Sequence, residues 1–196
     1  MDDCSVAAYA DQVGRYIAAH SVGRHVLLGH SMGGKIALAL AARQPAGLAG
    51  VVLLSPSPPG PEPITEAERQ AAQEAFGVRS EAEKTLRRIM TRPLPKAMKR
   101  QVVQDNLRSS YQAYHAWLQQ GCRENISALM SSVRVPCLLL AGDQDRVLPL
   151  AVHRTCTLPL LPAGTQLELI AGAGHLLPYE APEQVAAHLR AFGQQL

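Results

Sequence analysis

Gly29-His30-Ser31-Met32-Gly33 is the stretch that decides how the chain is read. The apolar run His25-Val26-Leu27-Leu28 precedes it, and a helix-like run from Met32 to about Gln44 follows. The pattern is G-x-S-x-G between a strand and a helix, the setting in which it forms a nucleophile elbow. Such a turn is too tight for ordinary side chains. Gly29 is expected to let the strand end without a clash, and Gly33 to let the first helical turn lie close against the strand. Ser31 Oγ would then stand above the sheet, beside the backbone N–H groups of a helix N-terminus. The same five residues also occur as a plain glycine-rich turn, so the reading leans on the strand and helix around them.

Outward from this turn the chain opens as α-β-α-β. Val6, Tyr9, Ala10, Val13 and Ile17 recur at three- and four-residue spacing and predict a helix over 6–19, with Ser5 as its N-cap. Residues 25–28 read as a short strand buried on both faces. The helix after the elbow stops before Pro45, and residues 50–55 form a second buried strand. This alternation is the grammar of a parallel sheet covered by helices.

At residue 56 the character changes. Pro56, Pro58, Pro59, Pro61 and Pro63 form a stiff linker. Residues 64–122 are helix-like, with helices expected near 65–76, 80–91, 95–108 and 110–120. Within them, positions 79–100 carry Arg79, Lys84, Arg87, Arg88, Arg92, Lys96, Lys99 and Arg100 against only Glu81 and Glu83. This reads first as a solvated helical face, with steering of an anionic substrate or partner as the alternative. Tyr111, Tyr114 and Trp117 read as core of the inserted segment. The sheet grammar resumes at 135–141, continues through a short helix near 149–159 and a strand at 165–170, and ends in a helix opened by Pro182.

Composition narrows the classes. The chain has 196 residues, 47% hydrophobic and 18% charged, with a formal charge of +3. That balance does not suggest a nucleic-acid binder. No apolar run approaches the ~20 residues of a membrane span, and the first residues lack the pattern of a signal peptide. Cys4, Cys122, Cys137 and Cys156 form no C-x-x-C pair and read as reduced thiols in a cytoplasmic protein. No His/Cys/Asp/Glu group has zinc spacing, and no glycine-rich nucleotide motif occurs, so neither a metal nor another cofactor is expected.

A serine hydroxyl needs a base, and the base needs an orienting partner. A parallel sheet gathers such groups at the C-terminal ends of its strands. Asp143 and Asp145 follow the third strand, and His175 follows the fourth. Spacing does not separate the two aspartates; the unused one would cap a helix or pair with Arg146. His30 adjoins Ser31 and reads as a pocket, oxyanion-region or packed loop residue. His20, His25, His115, His153 and His188 read as structural or solvated.

With these motifs in place the chain resembles the α/β-hydrolase superfamily, in its esterase, lactonase and cofactor-free haloperoxidase branch. The resemblance rests on Gly29–Gly34, on Val51–Pro59, on Val135–Pro149 and on Gly172–Pro182, where Glu180 and Pro182 match the family's helix start. The order Ser31, Asp145, His175 is the family order, and the family places its acid three residues after the glycine, which favours Asp145. The resemblance implies a partial α/β-hydrolase fold: about four mainly parallel strands flanked by helices, with core segments 1–56 and 126–196 and a helical cap at 57–125. It implies a serine hydrolase acting on a carboxylic ester or lactone, with Ser31, Asp145 and His175 catalytic and Met32 N–H in the oxyanion hole. Perhydrolysis by the same three residues, acyl transfer to another acceptor, and a non-catalytic homologue serving as a binding module are the alternatives.

The front departs from the family. Members carry several strands, and a loop that gives the second oxyanion donor, ahead of the helix at 6–19. The expectation is therefore an N-terminally shortened chain, from a late start, a fragment or a split arrangement. Loss of one such donor typically lowers turnover by about a hundredfold or more. The elbow strand would become an exposed edge, to be covered by a second copy or a partner. The expected ligand is a small acyl substrate, with neither a membrane nor a nucleic acid as partner.

Overall fold

The structure, a computed structural model, describes residues 3–196. Four strands form one parallel sheet in the order β1 (His25–His30), β2 (Leu48–Leu54), β3 (Cys137–Gly142) and β4 (Gln166–Ile170). Sequential strand order with parallel pairing requires a crossover after every strand, and helices supply them. One face is covered by α1 (Val6–Ala19) and α2 (Met32–Ala41). Their Val6, Ala10, Ile36 and Leu40 pack with Leu27, Val51, Leu53 and Leu139. The other face is covered by α9 (Pro182–Gly193), whose Val185 and Phe192 pack on Val52, Leu54, Leu138 and Leu140. Between β3 and β4 lies the three-residue α7 (Leu150–Val152), continued by a wide π-type turn over His153–Thr157. The short α8 (Leu177–Glu180) precedes α9.

The local expectations for α1 hold: Ser5 Oγ accepts from Ala8 N–H at 3.1 Å, which satisfies one of the free donors of the helix start. Cys137 is buried within β3, as a small apolar residue would be, and burial pushes its thiol up to about 12. Of the two expectations for β1, burial on both faces fails and the exposed edge holds. Leu27 is buried, but Val26 and Leu28 on the α9 side are 39% and 50% exposed. The reason is position. Among the described residues β1 pairs only with β2, so it forms a sheet edge, and the apolar cluster under α9 takes in β2, β3 and β4 but no residue of β1.

Between β2 and β3 run α3 (Glu66–Glu74), α4 (Arg79–Ile89), α5 (Lys96–Leu107) and α6 (Tyr111–Gln119). Thr65 and Glu68 form a capping box at the start of α3. Tyr114 and His115 gather around Phe76, while Tyr111 lies mostly in solvent at the edge of that cluster. Ala82, Leu86, Leu94 and Val103 of the α4–α5 pair share a buried cluster with Leu176, the residue after His175. Through that cluster the inserted helices reach the strand ends where the candidate residues lie.

Candidate active site

Ser31 sits between β1 and α2 with φ 52°, a left-handed conformation uncommon for a residue with a side chain. Three hydrogen bonds hold it there. Ser31 N–H donates to Leu54 O at 3.0 Å, and Ser31 O accepts from Gly34 N–H at 2.8 Å and Ser57 N–H at 2.9 Å. The glycines divide the steric work differently from the sequence reading. A Cβ on Gly29 would stand 2.3 Å from Gly33 O, and one on Gly34 would stand 2.5 Å from Pro56 Cβ. A Cβ on Gly33 would meet nothing within 4 Å. The close approach of helix to strand therefore rests on Gly29 and Gly34, and Gly33 contributes its backbone, not its missing side chain.

The turn brings Ser31 Oγ to 2.9 Å from His175 Nε2, and His175 Nδ1 lies 2.8 Å from Asp145 Oδ2. Asp145 Oδ1 accepts from Val147 N–H at 2.8 Å and Leu148 N–H at 3.0 Å. Burial alone would raise the Asp145 carboxyl. The hydrogen bond and charge of His175, with the two backbone donors, outweigh it and hold the group below its ordinary value. With a carboxylate at Nδ1, that nitrogen carries the proton and Nε2 accepts from the serine hydroxyl. Asp143 is excluded from this chain of hydrogen bonds: its Oδ1 accepts from Gly172 N–H at 2.7 Å and ties the loops after β3 and β4 together. Met32, the other residue singled out, is the first residue of α2, where backbone N–H groups lack partners within the helix.

Two further side chains fix the histidine loop. His30 Nε2 donates to His175 O at 2.8 Å, so His30 braces the loop. Burial, with the nearby His175, pushes the His30 imidazole down. Glu180 does more. Its Oε2 accepts from Thr91, Arg92 and Gly174 N–H at 2.8, 2.7 and 3.0 Å, and its Oε1 accepts from Leu176 N–H at 3.0 Å. His175 N–H itself donates to Ile89 O at 2.9 Å. The end of α4 and the His175 loop are thus joined through one buried carboxylate.

The sequence matches the alpha/beta hydrolase family over residues 1–188. The chain belongs to that family. Solved structures agree on the fold. An esterase from Exiguobacterium antarcticum superposes with TM-score 0.84 at 19% identity, covering 96% of this chain and 74% of that one. A bromoperoxidase from Bacillus anthracis gives TM-score 0.81 at 14% identity, with 97% and 75% covered. A carboxylesterase from Bacillus subtilis gives 0.79 at 23%, with 96% and 66% covered. Comparison with curated proteins finds no match.

Beside the Asp145 loop this α/β-hydrolase chain has a cavity of about 600 Å³. Ile64, Leu148 and Val152 give it apolar walls; Glu62, Arg88 and Arg146 are its charged ones. Burial pushes the Glu62 carboxyl up, with the Lys35 ammonium working against it. Lys35, on α2, is fully buried, and its Nζ donates to Glu124 O at 2.7 Å. Spacing along the chain could not reveal Lys35 and Glu62 as neighbours of the site, because only the folded insertion brings residue 62 beside α2. His153, read as structural or solvated, is completely buried, and neither ring nitrogen makes a well-formed hydrogen bond to a protein group. Among the described residues no cluster could hold a metal ion, and no helix is long and apolar enough to cross a membrane.

Proposed function

We propose that the protein is a serine hydrolase acting on carboxylic esters or lactones. The observation that carries this reading is the unbroken series Ser31 Oγ, His175 Nε2, His175 Nδ1, Asp145 Oδ2, with links of 2.9 and 2.8 Å, anchored on a strained elbow. Ser31 Oγ attacks the acyl carbonyl as its proton passes to His175 Nε2. Asp145 keeps Nδ1 protonated and stabilises the imidazolium. Met32 N–H donates to the oxyanion. The tetrahedral intermediate expels the alkoxide, which takes the proton from His175 and leaves as an alcohol. Water then gives a proton to His175 as its oxygen attacks the acyl-serine; the second tetrahedral intermediate breaks its bond to Ser31 Oγ, which takes the proton back from His175, and the acid leaves. Helices α3–α6 serve as a cap over residues 57–125, and the mixed apolar and charged lining of the 600 Å³ cavity fits a small to medium acyl group.

A fluorophosphonate probe tests the chemistry directly. Folded wild-type protein is expected to be labelled on Ser31, and Ser31→Ala to be blank. Absence of Ser31-dependent labelling in folded protein refutes the enzyme reading. Turnover of p-nitrophenyl esters of rising acyl length then reports the substrate size.

A further inference from the structure

The basic stretch of the insertion forms a groove of its own. It lies between α4 and α5, is lined by none of Ser31, Asp145 and His175, and has a volume of about 260 Å³. Helical spacing sets Arg79 and Arg87 on one stripe of α4 and places Lys99 and Arg100 opposite them on α5. The floor is apolar, made by Leu86, Met90 and Val103. Of the other cations on and around these helices, Lys84 pairs with Glu81 at 2.6 Å, Arg108 with Asp105 at 2.5 Å and Arg92 with Gln184 at 3.0 Å, while Arg88 and Lys96 lie outside the groove lining. Among the described residues the four groove cations have no such partner. Glu83, the one acidic residue in the lining, lies between Arg79 and Arg87 on the same stripe and pairs with neither. Four cations against one carboxylate leave an excess of three, as large as the formal charge of the whole chain.

We propose that this groove binds an amphiphilic anion, a carboxylate carried on a short apolar chain. An apolar floor under unpaired cations matches such a ligand at both ends: the tail buries Leu86, Met90 and Val103, and the head replaces the missing counter-charges. The volume lies just below the ~300–1,000 Å³ of sites for drug-sized ligands, which points to a small molecule. The floor also bears on the serine site. Leu86 and Val103 share a buried cluster with Leu176, and the end of α4 is bonded to the His175 loop through Ile89 O and Glu180. A ligand held here stiffens the segment that carries the histidine. This inference stands apart from the hydrolase reading, and its test does not need turnover.

Decanoate is titrated by calorimetry into the Ser31→Ala protein at low ionic strength. Saturable one-site binding is expected, weakened about tenfold or more in Arg87→Ala/Arg100→Ala and restored in large part in Arg87→Lys/Arg100→Lys. Decanol and inorganic phosphate are each expected to bind far more weakly than decanoate. Equal binding of decanol would reduce the groove to an apolar patch, and equal binding of phosphate would reduce it to a plain anion cluster; either overturns the proposal. So does a loss of affinity in Arg146→Ala that the groove variants do not show, because it places the ligand in the other cavity. Binding to phosphatidylglycerol vesicles without binding of free decanoate would assign the face to a lipid surface instead, and would also overturn it. The lysine pair and the decanol arm decide the question even where the double alanine variant unfolds.

Discussion

Acid should weaken this fold through one histidine. His153 is completely buried at the start of the π-type turn, and burial pushes its imidazole down to about 4 from an ordinary 6.5. The Asp145 carboxylate and the Leu148 backbone favour the charged ring and offset part of that burial effect; His175 adds to it. The folded chain therefore holds His153 neutral over a range in which the unfolded chain takes up a proton. A depressed folded value means stability is fully present above about 6.5 and is lost as pH falls towards 4, where the folded form begins to protonate too. The gap corresponds to about 3 kcal/mol in full, and to about 2.5 kcal/mol between neutral pH and about pH 4.5. For a domain whose total stability is of order 5–15 kcal/mol, that is a large share.

His153→Leu isolates this effect. Leucine fills much of the same volume and cannot charge. Urea unfolding followed by fluorescence of Trp117, the single tryptophan, gives ΔG at each pH for both proteins. Near pH 7 the variant should equal or exceed the wild type, because two ring nitrogens without well-formed hydrogen bonds are removed. Near pH 4.5 its advantage should have grown by about 2.5 kcal/mol. His30, also pushed down by burial, leaves a residual slope common to both proteins. Asp145 contributes only below its ordinary carboxylate range, outside this window. Parallel stability curves for the two proteins would refute the reasoning and place His153 within reach of solvent.

Asp145→Asn should leave the fold intact but lower ester turnover by up to about 10⁴-fold, by analogy with the corresponding change in serine proteases; p-nitrophenyl acetate hydrolysis checks this, and retained activity would remove Asp145 from the mechanism. Glu180→Gln should cost about 2–4 kcal/mol in urea unfolding, because an amide cannot replace a carboxylate that accepts four backbone N–H groups. An unchanged midpoint would show the α4 end and the histidine loop to be held by other contacts. Gly29→Ala and Gly34→Ala should each destabilise by about 1–3 kcal/mol or more through backbone displacement, whereas Gly33→Ala should be neutral or stabilising by up to about 1 kcal/mol from helix propensity. Thermal melts of the three variants would expose an error if Gly33→Ala proved the most damaging.

The parts legible in the sequence were those fixed by local spacing. The elbow and the four inserted helices follow from patterns no longer than a helix, whereas the choice of Asp145 over Asp143 came from the family resemblance and not from spacing. What escaped depends on distant neighbours. An apolar strand looks alike at a sheet centre and at an edge, so the run 25–28 by itself read as buried on both faces, and only the comparison with the family pointed to the exposed edge on which Val26 and Leu28 lie. Glycine identity does not say which Cβ would clash, so Gly33 received a role that belongs to Gly29 and Gly34. Glu180 matched a family position, but its work as a clamp between α4 and the histidine loop appears only when both segments are folded.

The two misreadings at the elbow have a common physical root, and it bears on what the exposed edge does. Ser31 is strained, and strain persists only where the surroundings over-determine it. Here the restraints come from α2 and from the β2 side: Leu54 O, Gly34 N–H and Ser57 N–H all hold the Ser31 backbone. His175 and Asp145 stand on loops after β4 and β3, further still from the free edge of β1. Ser31 follows β1 and His175 follows β4, the outer strands among the described residues, but the backbone bonds that hold Ser31 come from α2 and the β2 side and not from the free edge of β1. A second copy or another chain on that edge would bury Val26 and Leu28 and change association and solubility. It would leave the 2.9 and 2.8 Å links of the serine site in place.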